Sequence, residues 1–340
     1  AANRDLAHQG IVLRKYGQQI IEATAGKRIH GTGAIPGGIN KSLEPRVCEG
    51  FLTDIDRIVQ WSSDAVSFIR DYTLEHQPEL SQMGAFESNH LSLVGDDGVM
   101  DLYDGTLRAI DSGGEGILDG VECDEYLDHI IEEVRPWTYM KFPFLKKLGP
   151  EQGWYRVGSL ARLNTCDRID TPLAEQRRGE FFRAMGGRPN NMTMAYHWAR
   201  LIEVLHAAEK IRELLDDPDI SGADLVDRGA RRERAVAVLE APRGTLFHDY
   251  TVDENDLVTQ ANLIVSTTQN NEPMNRAVES VARRELAGGK RISEGMLNAI
   301  EVAIRAYDPC LSCATHAVGA MRLEVELRGE SGEVMDRRGR

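Results

Sequence analysis

NMTMAYHWARLIEVLHAAEKIRELLD, residues 191–216, carries the longest helical signal in the chain. Trp198, Leu201, Ile202, Leu205, Ile211 and Leu214 make a wide apolar stripe, the pattern of a helix buried in a bundle. The same periodicity recurs on either side. Residues 4–25 place Leu6, Ile11, Leu13, Ile20 and Ile21 at roughly helical spacing before Gly26, and residues 42–75 turn Phe51, Ile55, Ile58, Val59, Val66 and Ile69 inward. A helical pattern also covers 124–134. Thr171-Pro172 is suited to open a helix, with Thr as N-cap and Pro at the first position. Helices are predicted over 272–287 and, behind the N-cap Ser293, over 294–307.

Two regions break the helical pattern. Residues 90–118 set short strand-like runs between DDG, DG and SGG turns, and residues 235–268 flank APRG and DEND with β-rich runs. The predicted fold class is mainly α: a large helical-bundle core with two small antiparallel β inserts. GKRIHGTGAIPGGIN, 26–40, lacks the residue order of a phosphate loop and follows no strand, so it reads as irregular backbone that must pass close to something. YMKFPFLKKLG, 139–149, reads as a packed connection.

The 340 residues carry a net charge of −14, 41% hydrophobic and 28% charged residues, which fits a soluble globular protein and disfavours a nucleic-acid binder. The one basic run, RGARRER at 228–234, reads as a solvated loop. No stretch has the ~20 apolar residues a membrane span needs. Five cysteines form no secreted disulfide framework, and a reducing, cytoplasmic setting is expected.

Three constellations stand out. Glu203, His206 and Glu209 share one face of the 191–216 helix. A di-metal site would need a second such helix, and a polar contact between helices is the simpler expectation. Glu240-Ala-Pro-Arg243-Gly sets a defined bend around a permanently charged guanidinium. DPCLSCATHAVG, 308–319, places Cys310, Cys313 and His316 at i, i+3 and i+6 on a helix restarted by an Asp-Pro pair, with Cys310 in its first turn. That set could hold a metal, form a disulfide or exchange electrons. The absence of a βαβ unit disfavours the redox role, and the absence of further local ligands makes it half of a metal site.

Asp-Pro-Cys-x-x-Cys-x-x-His resembles the C-terminal signature of [NiFe] hydrogenase large subunits. EAPRG at 240–244 is similar to that family's arginine motif, and VSTTQNN at 265–271 to its Ser/Thr-bearing loop. LRKYGQQIIEATAGKRIHGTGAIPGG, YMKFPFLKKLG and NNMTMAYHWARLIEVLHAAE resemble further segments in the family's order, so the likeness spans essentially the whole chain. It is closest to the soluble, cytoplasmic, NAD-reducing branch.

The resemblance implies a nickel–iron centre held by four cysteines, with CO and cyanide on iron. By it, Cys310 is a terminal nickel ligand able to take a proton, and Cys313 bridges the two metals. Arg243 hangs over their open face with Asp308 beside it. Pro242 and Thr267 line the pocket around the diatomic ligands, and His316 binds a separate magnesium or iron ion. H₂ is then the substrate. Electrons leave through an Fe–S small subunit toward diaphorase subunits carrying flavin and NAD, since this chain lacks cysteines for a relay. A maturation protease and nickel-insertion factors are further implied partners.

Two departures accompany the likeness. The family's early Arg-x-Cys-Gly-x-Cys motif, source of the other two metal ligands, has no counterpart here, so a preceding stretch of roughly a hundred residues or more is expected to belong to the protein. The family's Val-Gly-Pro-Leu-Ala-Arg reads VGSLAR at 157–162, with Ser159 in place of Pro. In the family the tail after the histidine is removed following nickel insertion. The expected division is therefore 1–316 as the hydrogenase large-subunit domain and 317–340 as a maturation propeptide that, uncleaved, holds the cysteine segment away from closure. The alternative reading is a non-catalytic, hydrogenase-derived structural subunit of a redox complex.

Overall fold

The structure is a computed structural model and describes residues 4–286, 291–311 and 323–339. About 47% of it is helical, in keeping with the mainly α expectation. The chain forms two compact units, each assembled from separated segments.

One unit comprises Ala1–Asp71, Thr171–Arg177 and Leu201–Arg232. The Arg4–Ala25 helix and the first turns of Pro45–Glu75 meet here: the Tyr16 hydroxyl donates to the Phe51 carbonyl at 3.1 Å, and the two rings pack edge to face at 5.5 Å. Leu43, Cys48 and Leu215 form its buried apolar cluster. The glycine-rich segment folds into a two-residue-per-strand hairpin, Ala34–Ile35 with Gly38–Ile39, lying against 225–227. The Ile39 N–H donates to Leu225 O and the Asp227 N–H to Gly37 O. A Cβ on Gly38 would sit 2.0 Å from the Leu225 carbonyl oxygen, which is why no side chain stands there.

On the Glu203/His206/Glu209 face, His206 and Glu209 make the polar contact between helices that was expected. Thr171 and His206 share a hydrogen bond of 2.8 Å between Oγ1 and Nδ1. The Glu209 carboxylate accepts the N–H groups of Leu173 (3.0 Å) and Ala174 (2.9 Å), capping the Pro172–Ala184 helix from outside its own sequence.

The other unit comprises Tyr72–Asp170, Arg178–Arg200 and Glu233–Arg340. One of its apolar clusters is built on sheets, while helices bury Leu160, Trp198, Val281 and Leu297. Gly116–Val121, Thr106–Ile110 and Asn89–Val94 run antiparallel, and Tyr155–Arg156 joins the last of them in parallel. Arg234–Ala241, Gly244–Val252 and Val258–Ile264 form a three-stranded antiparallel sheet. Leu91, Leu107, Tyr126, Leu145, Tyr155, Val157 and Phe247, all buried, fill the cluster these strands share.

The two predicted β regions correspond to these two larger sheets, but the described residues also hold three two-stranded hairpins, so the β content exceeds the two inserts expected. One hairpin corrects a predicted helix. Over 124–134 only Tyr126–His129 is α-helical, and Ile130–Val134 is a strand paired with Lys141–Leu145, within the segment expected to be a packed connection. Ile130, Phe142 and Leu145 are buried, so cross-strand packing outweighs a short helical pattern. The predicted helices at the end of the chain are present: Asn271–Glu285, and Glu294–Ala306 with the Ser293 side chain accepting the Met296 N–H. No helix among the described residues is long and apolar enough to cross a membrane.

Candidate functional site

The site is built around the turn joining Arg234–Ala241 to Gly244–Val252. Ala241 pairs with Gly244, which leaves Pro242 and Arg243 at the tip of a two-residue hairpin turn. Gly244 has φ +133°, and a Cβ there would lie 2.3 Å from Val157 Cγ2 and 2.8 Å from the Gly158 nitrogen. The turn therefore packs backbone to backbone on Val157–Gly158, just ahead of the Ser159–Thr165 helix.

That helix supplies the clamp. Arg162, fully buried, sends one guanidinium nitrogen to Glu240 Oε2 (2.7 Å) and to the Ala241 carbonyl (3.0 Å), and another to the Pro242 carbonyl (3.3 Å). The second Glu240 oxygen accepts the Leu93 N–H (2.9 Å) and the Thr245 hydroxyl (2.6 Å). Burial pushes the Glu240 carboxyl up, while Arg162, the Thr245 hydroxyl and the Leu93 N–H pull it down. The backbone carbonyls on both sides of the Ala241–Pro242 step are thus pinned from the protein interior, and Arg243 is the first side chain beyond the clamp. Ser159 sits at the first position of the clamping helix, where its hydroxyl donates to the Tyr196 carbonyl at 3.3 Å, so the change from Pro is accommodated locally.

The VSTTQNN stretch, expected as a loop, is a short helical turn, Ser266–Gln269, that runs into the Asn271–Glu285 helix and packs against the Pro242–Arg243 turn. Ser266 to Asn271 are all buried despite being polar, and side-chain hydrogen bonds of Ser266, Gln269 and Asn270 anchor the stretch. Ser266 donates to Gly244 O (2.6 Å), and Gln269 reaches Thr245 O and accepts from the Tyr155 hydroxyl (2.9 Å). Asn270 accepts the Val157 N–H (3.1 Å) and donates to the Val157 carbonyl (3.3 Å). The segment thus ties the Pro242–Arg243 turn to the Val157–Gly158 step.

The third element is the chain after the Glu294–Ala306 helix. Arg200 donates to the Ala306 carbonyl at 2.8 Å and Tyr307 to the Pro273 carbonyl at 3.3 Å, which fixes the helix end. Asp308 then takes a left-handed conformation, φ +49°. Arg243 Nε donates to the Asp308 carbonyl at 2.6 Å and stands 3.6 Å from its carboxylate. Two residues on, the Cys310 N–H donates to Thr267 Oγ1 at 3.2 Å. Nearby, burial and the Arg200 charge hold the His197 imidazole below its ordinary range, with Asp308 pulling the other way.

Arg243, Pro242, Thr267, Asp308 and Cys310 therefore converge from three separate stretches of sequence. Cys313 and His316 lie outside the described residues. The helix expected to restart at Asp308-Pro309 begins later: 308–310 are non-helical, Leu311 is the first helical residue, and the left-handed Asp308 is not in an N-cap conformation. The Cys310 amide is satisfied by Thr267 instead. Sequence reasoning missed Arg162 and Asn270. The signal that could have found the first was a paired Arg and Glu inside two apolar contexts, since a buried ion of either sign needs its complement.

Among the described residues no group of three His, Cys, Asp or Glu side chains stands close enough to hold a metal ion. The donor chemistry present is one cysteine sulfur with a guanidinium, a hydroxyl and a carboxylate around it. This donor set fits the wall of a thiolate-bound metal centre whose remaining ligands come from elsewhere.

The nickel-dependent hydrogenase family model matches residues 113–316. Over the whole chain the sequence is 45% identical to the NAD-reducing hydrogenase HoxS subunit beta of Cupriavidus necator, covering 71% of that protein. It is 38% identical to one component of the F420-non-reducing hydrogenase of Methanothermobacter thermautotrophicus, over 98% of this chain and 71% of the relative. Among solved structures, an NAD⁺-reducing [NiFe]-hydrogenase in the H₂-reduced state superposes with a TM-score of 0.89 at 50% identity, covering 93% of this chain and 70% of that one. A [NiFeSe] hydrogenase from Desulfovibrio vulgaris Hildenborough shares the fold, with a TM-score of 0.69 at 18% identity, over 92% of this chain and 70% of that one.

Proposed function

The chain belongs to the nickel-dependent hydrogenase family as a [NiFe] hydrogenase large subunit, and from that premise we propose that it carries the catalytic site for reversible cleavage of H₂. The observation that supports this reading best is the convergence of Arg243, Asp308, Thr267 and Cys310 on one wall. Cys310 and Cys313 would supply two thiolates of the nickel–iron centre, and His316 would hold a magnesium or iron ion. When bound, such a centre with CO and cyanide ligands on iron supplies the Lewis acidity that makes H₂ cleavable.

The chain's own residues do the rest. The Cys310 sulfur is the first proton acceptor, at a segment whose backbone is held by Thr267. Arg243 presents a fixed positive charge that favours charge separation, and the Arg162 clamp spares it reorganisation. Thr267 accepts the Cys310 amide and keeps its own hydroxyl hydrogen to offer to an anionic ligand. Pro242 keeps the rim of the turn apolar. Asp308 restrains the guanidinium from the side. Electrons would pass to an Fe–S small subunit, then through flavin-containing diaphorase subunits to NAD⁺, in the cytoplasm. Residues 317–340 would be removed by a maturation protease after nickel-insertion factors have acted.

The purified complex tests this reading. Nickel and iron in the large subunit, H₂-dependent reduction of NAD⁺ or a viologen, and an intact mass ending at His316 are expected. A complex without nickel that is silent toward H₂ would instead mark a non-catalytic, hydrogenase-derived protein.

A further inference from the structure

Glu324–Arg328 and Val334–Gly339 form an antiparallel hairpin that pairs with no other strand among the described residues. A lone two-stranded hairpin is marginal in water, so what it rests on matters. It rests on the Asn271–Glu285 and Glu294–Ala306 helices. A cavity of about 360 Å³ lies between them, walled by Ala282, Met296 and Ile300 from the helices and by Leu323, Val325 and Leu327 from the hairpin.

The register explains the fit. Val325 stands opposite Arg338, and Leu327 opposite Asp336, so these four share one face with Leu323. Asp336 on that face accepts the Ile292 N–H at 2.7 Å, and Arg338 pairs with Glu294 at 3.0 Å. The other face is laced by ion pairs of Arg337 with Glu324 and Glu326. The hairpin thus has a helix-facing side with apolar residues at its centre and one anion and one cation at its edge, and a charged outer side. The helices offer the complement: an apolar groove, a backbone N–H and a carboxylate.

We propose that the groove between these two helices is a recognition site for an amphipathic β-hairpin, strong enough to keep this hairpin docked when the backbone leading to it is cut. The inference rests on the docked geometry and does not need the tail to be a maturation propeptide. Should that reading hold, peptide hydrolysis and departure of the tail become two separate events, and the apolar groove opens to its next occupant only at the second.

The test uses the full chain with residues 317–322 replaced by the recognition sequence of a site-specific protease. After cutting, the fragment is expected to co-elute with the body in gel filtration. Val325→Ser with Leu327→Ser is expected to speed its release at least about tenfold, since two half-buried apolar side chains are lost from the contact. Asp336→Asn should act in the same direction with a smaller effect. These changes lie in the fragment, so the fold of the body is unaffected, and a labelled hairpin peptide added back to the separated body gives a second measurement. An unsubstituted fragment that leaves the body as fast as the doubly substituted one, or two fragments that both stay bound, overturn the proposal. The mass of the naturally matured protein reports on maturation independently.

Discussion

Two arginine–carboxylate pairs flank one turn and could hardly differ more. Arg162 and Glu240 are 2% and 0% exposed and meet at 2.7 Å, with every remaining oxygen occupied. Arg243 and Asp308 are 40% and 45% exposed, and the carboxylate stands 3.6 Å away. A buried pair is worth little net, but breaking it strands a charge, whereas an exposed pair adds well under 1 kcal/mol. The inner pair is therefore committed to holding shape. The outer guanidinium is left with charge to spend on something other than its neighbour.

The comparison breaks most easily at the inner pair. Arg162→Met leaves the Glu240 carboxyl buried without its cation, and a loss of about 3–5 kcal/mol in urea unfolding is expected. A change below 1 kcal/mol would mean that water or a rearranged side chain replaces the guanidinium. At the outer pair the effects should reverse. Arg243→Lys is expected to leave the melting temperature within a degree or two of the parent, since exposed pairs add so little. H₂ oxidation by the assembled enzyme should fall by roughly 10²–10³-fold, the usual magnitude for a preorganised charge. If activity survives, the proposed role of Arg243 is wrong.

A third buried group sharpens the comparison, because it is charged neither by a partner nor by solvent. His90 is fully buried, bonded to Asn191 at 3.1 Å, and its pKa is lowered to about 3 by burial and by Arg156. The folded form thus binds its proton more weakly than the unfolded chain does. Its contribution is complete above the ordinary histidine range and is lost as pH falls from there toward about 3. Stability should drop by about 2 kcal/mol between neutral pH and pH 5 from this group alone. His90→Gln should flatten that slope, as measured by urea titrations at several pH values, and an unchanged slope would assign the acid sensitivity elsewhere. The smallest effect belongs to Thr267→Val, which removes the acceptor of the Cys310 N–H and should cost about 1 kcal/mol. Retained metal content in that variant would show that Cys310 is positioned without it.

How much of this was legible in the sequence differs between the two sides of the same turn. The pattern of Glu-Ala-Pro-Arg-Gly announces a bend with an arginine on it, because proline and glycine constrain the backbone locally. Nothing local announces that Arg162, in a run otherwise suited to a core helix, reaches that bend, since the contact is made only in the tertiary structure. The helices closing the chain were readable from a cap and a stripe, as Ser293 shows. The Ile130–Val134 strand was not, because its partner, Lys141–Leu145, lies across a turn and a short apolar run suits either structure. At Cys310 the Asp-Pro pair suggested a helix start, but the Arg243 side chain holds the Asp308 carbonyl and Thr267 the next free amide, so long-range bonds decide the backbone there.

The seam between Gly38 and Val226 has a consequence for how the molecule is made. On the ribosome the first strand edge emerges long before the segment that covers it. At synthesis rates of about 5–20 residues per second, the wait between the two is on the order of 10–40 s. Throughout that interval the backbone groups of Gly37 and Ile39 that later bond to 225–227 face solvent, beside the exposed side chains of Ile35 and Ile39. The nascent chain therefore spends its early life with an adhesive edge, and whatever holds it meanwhile belongs to the folding of this protein no less than the groove and the turn do.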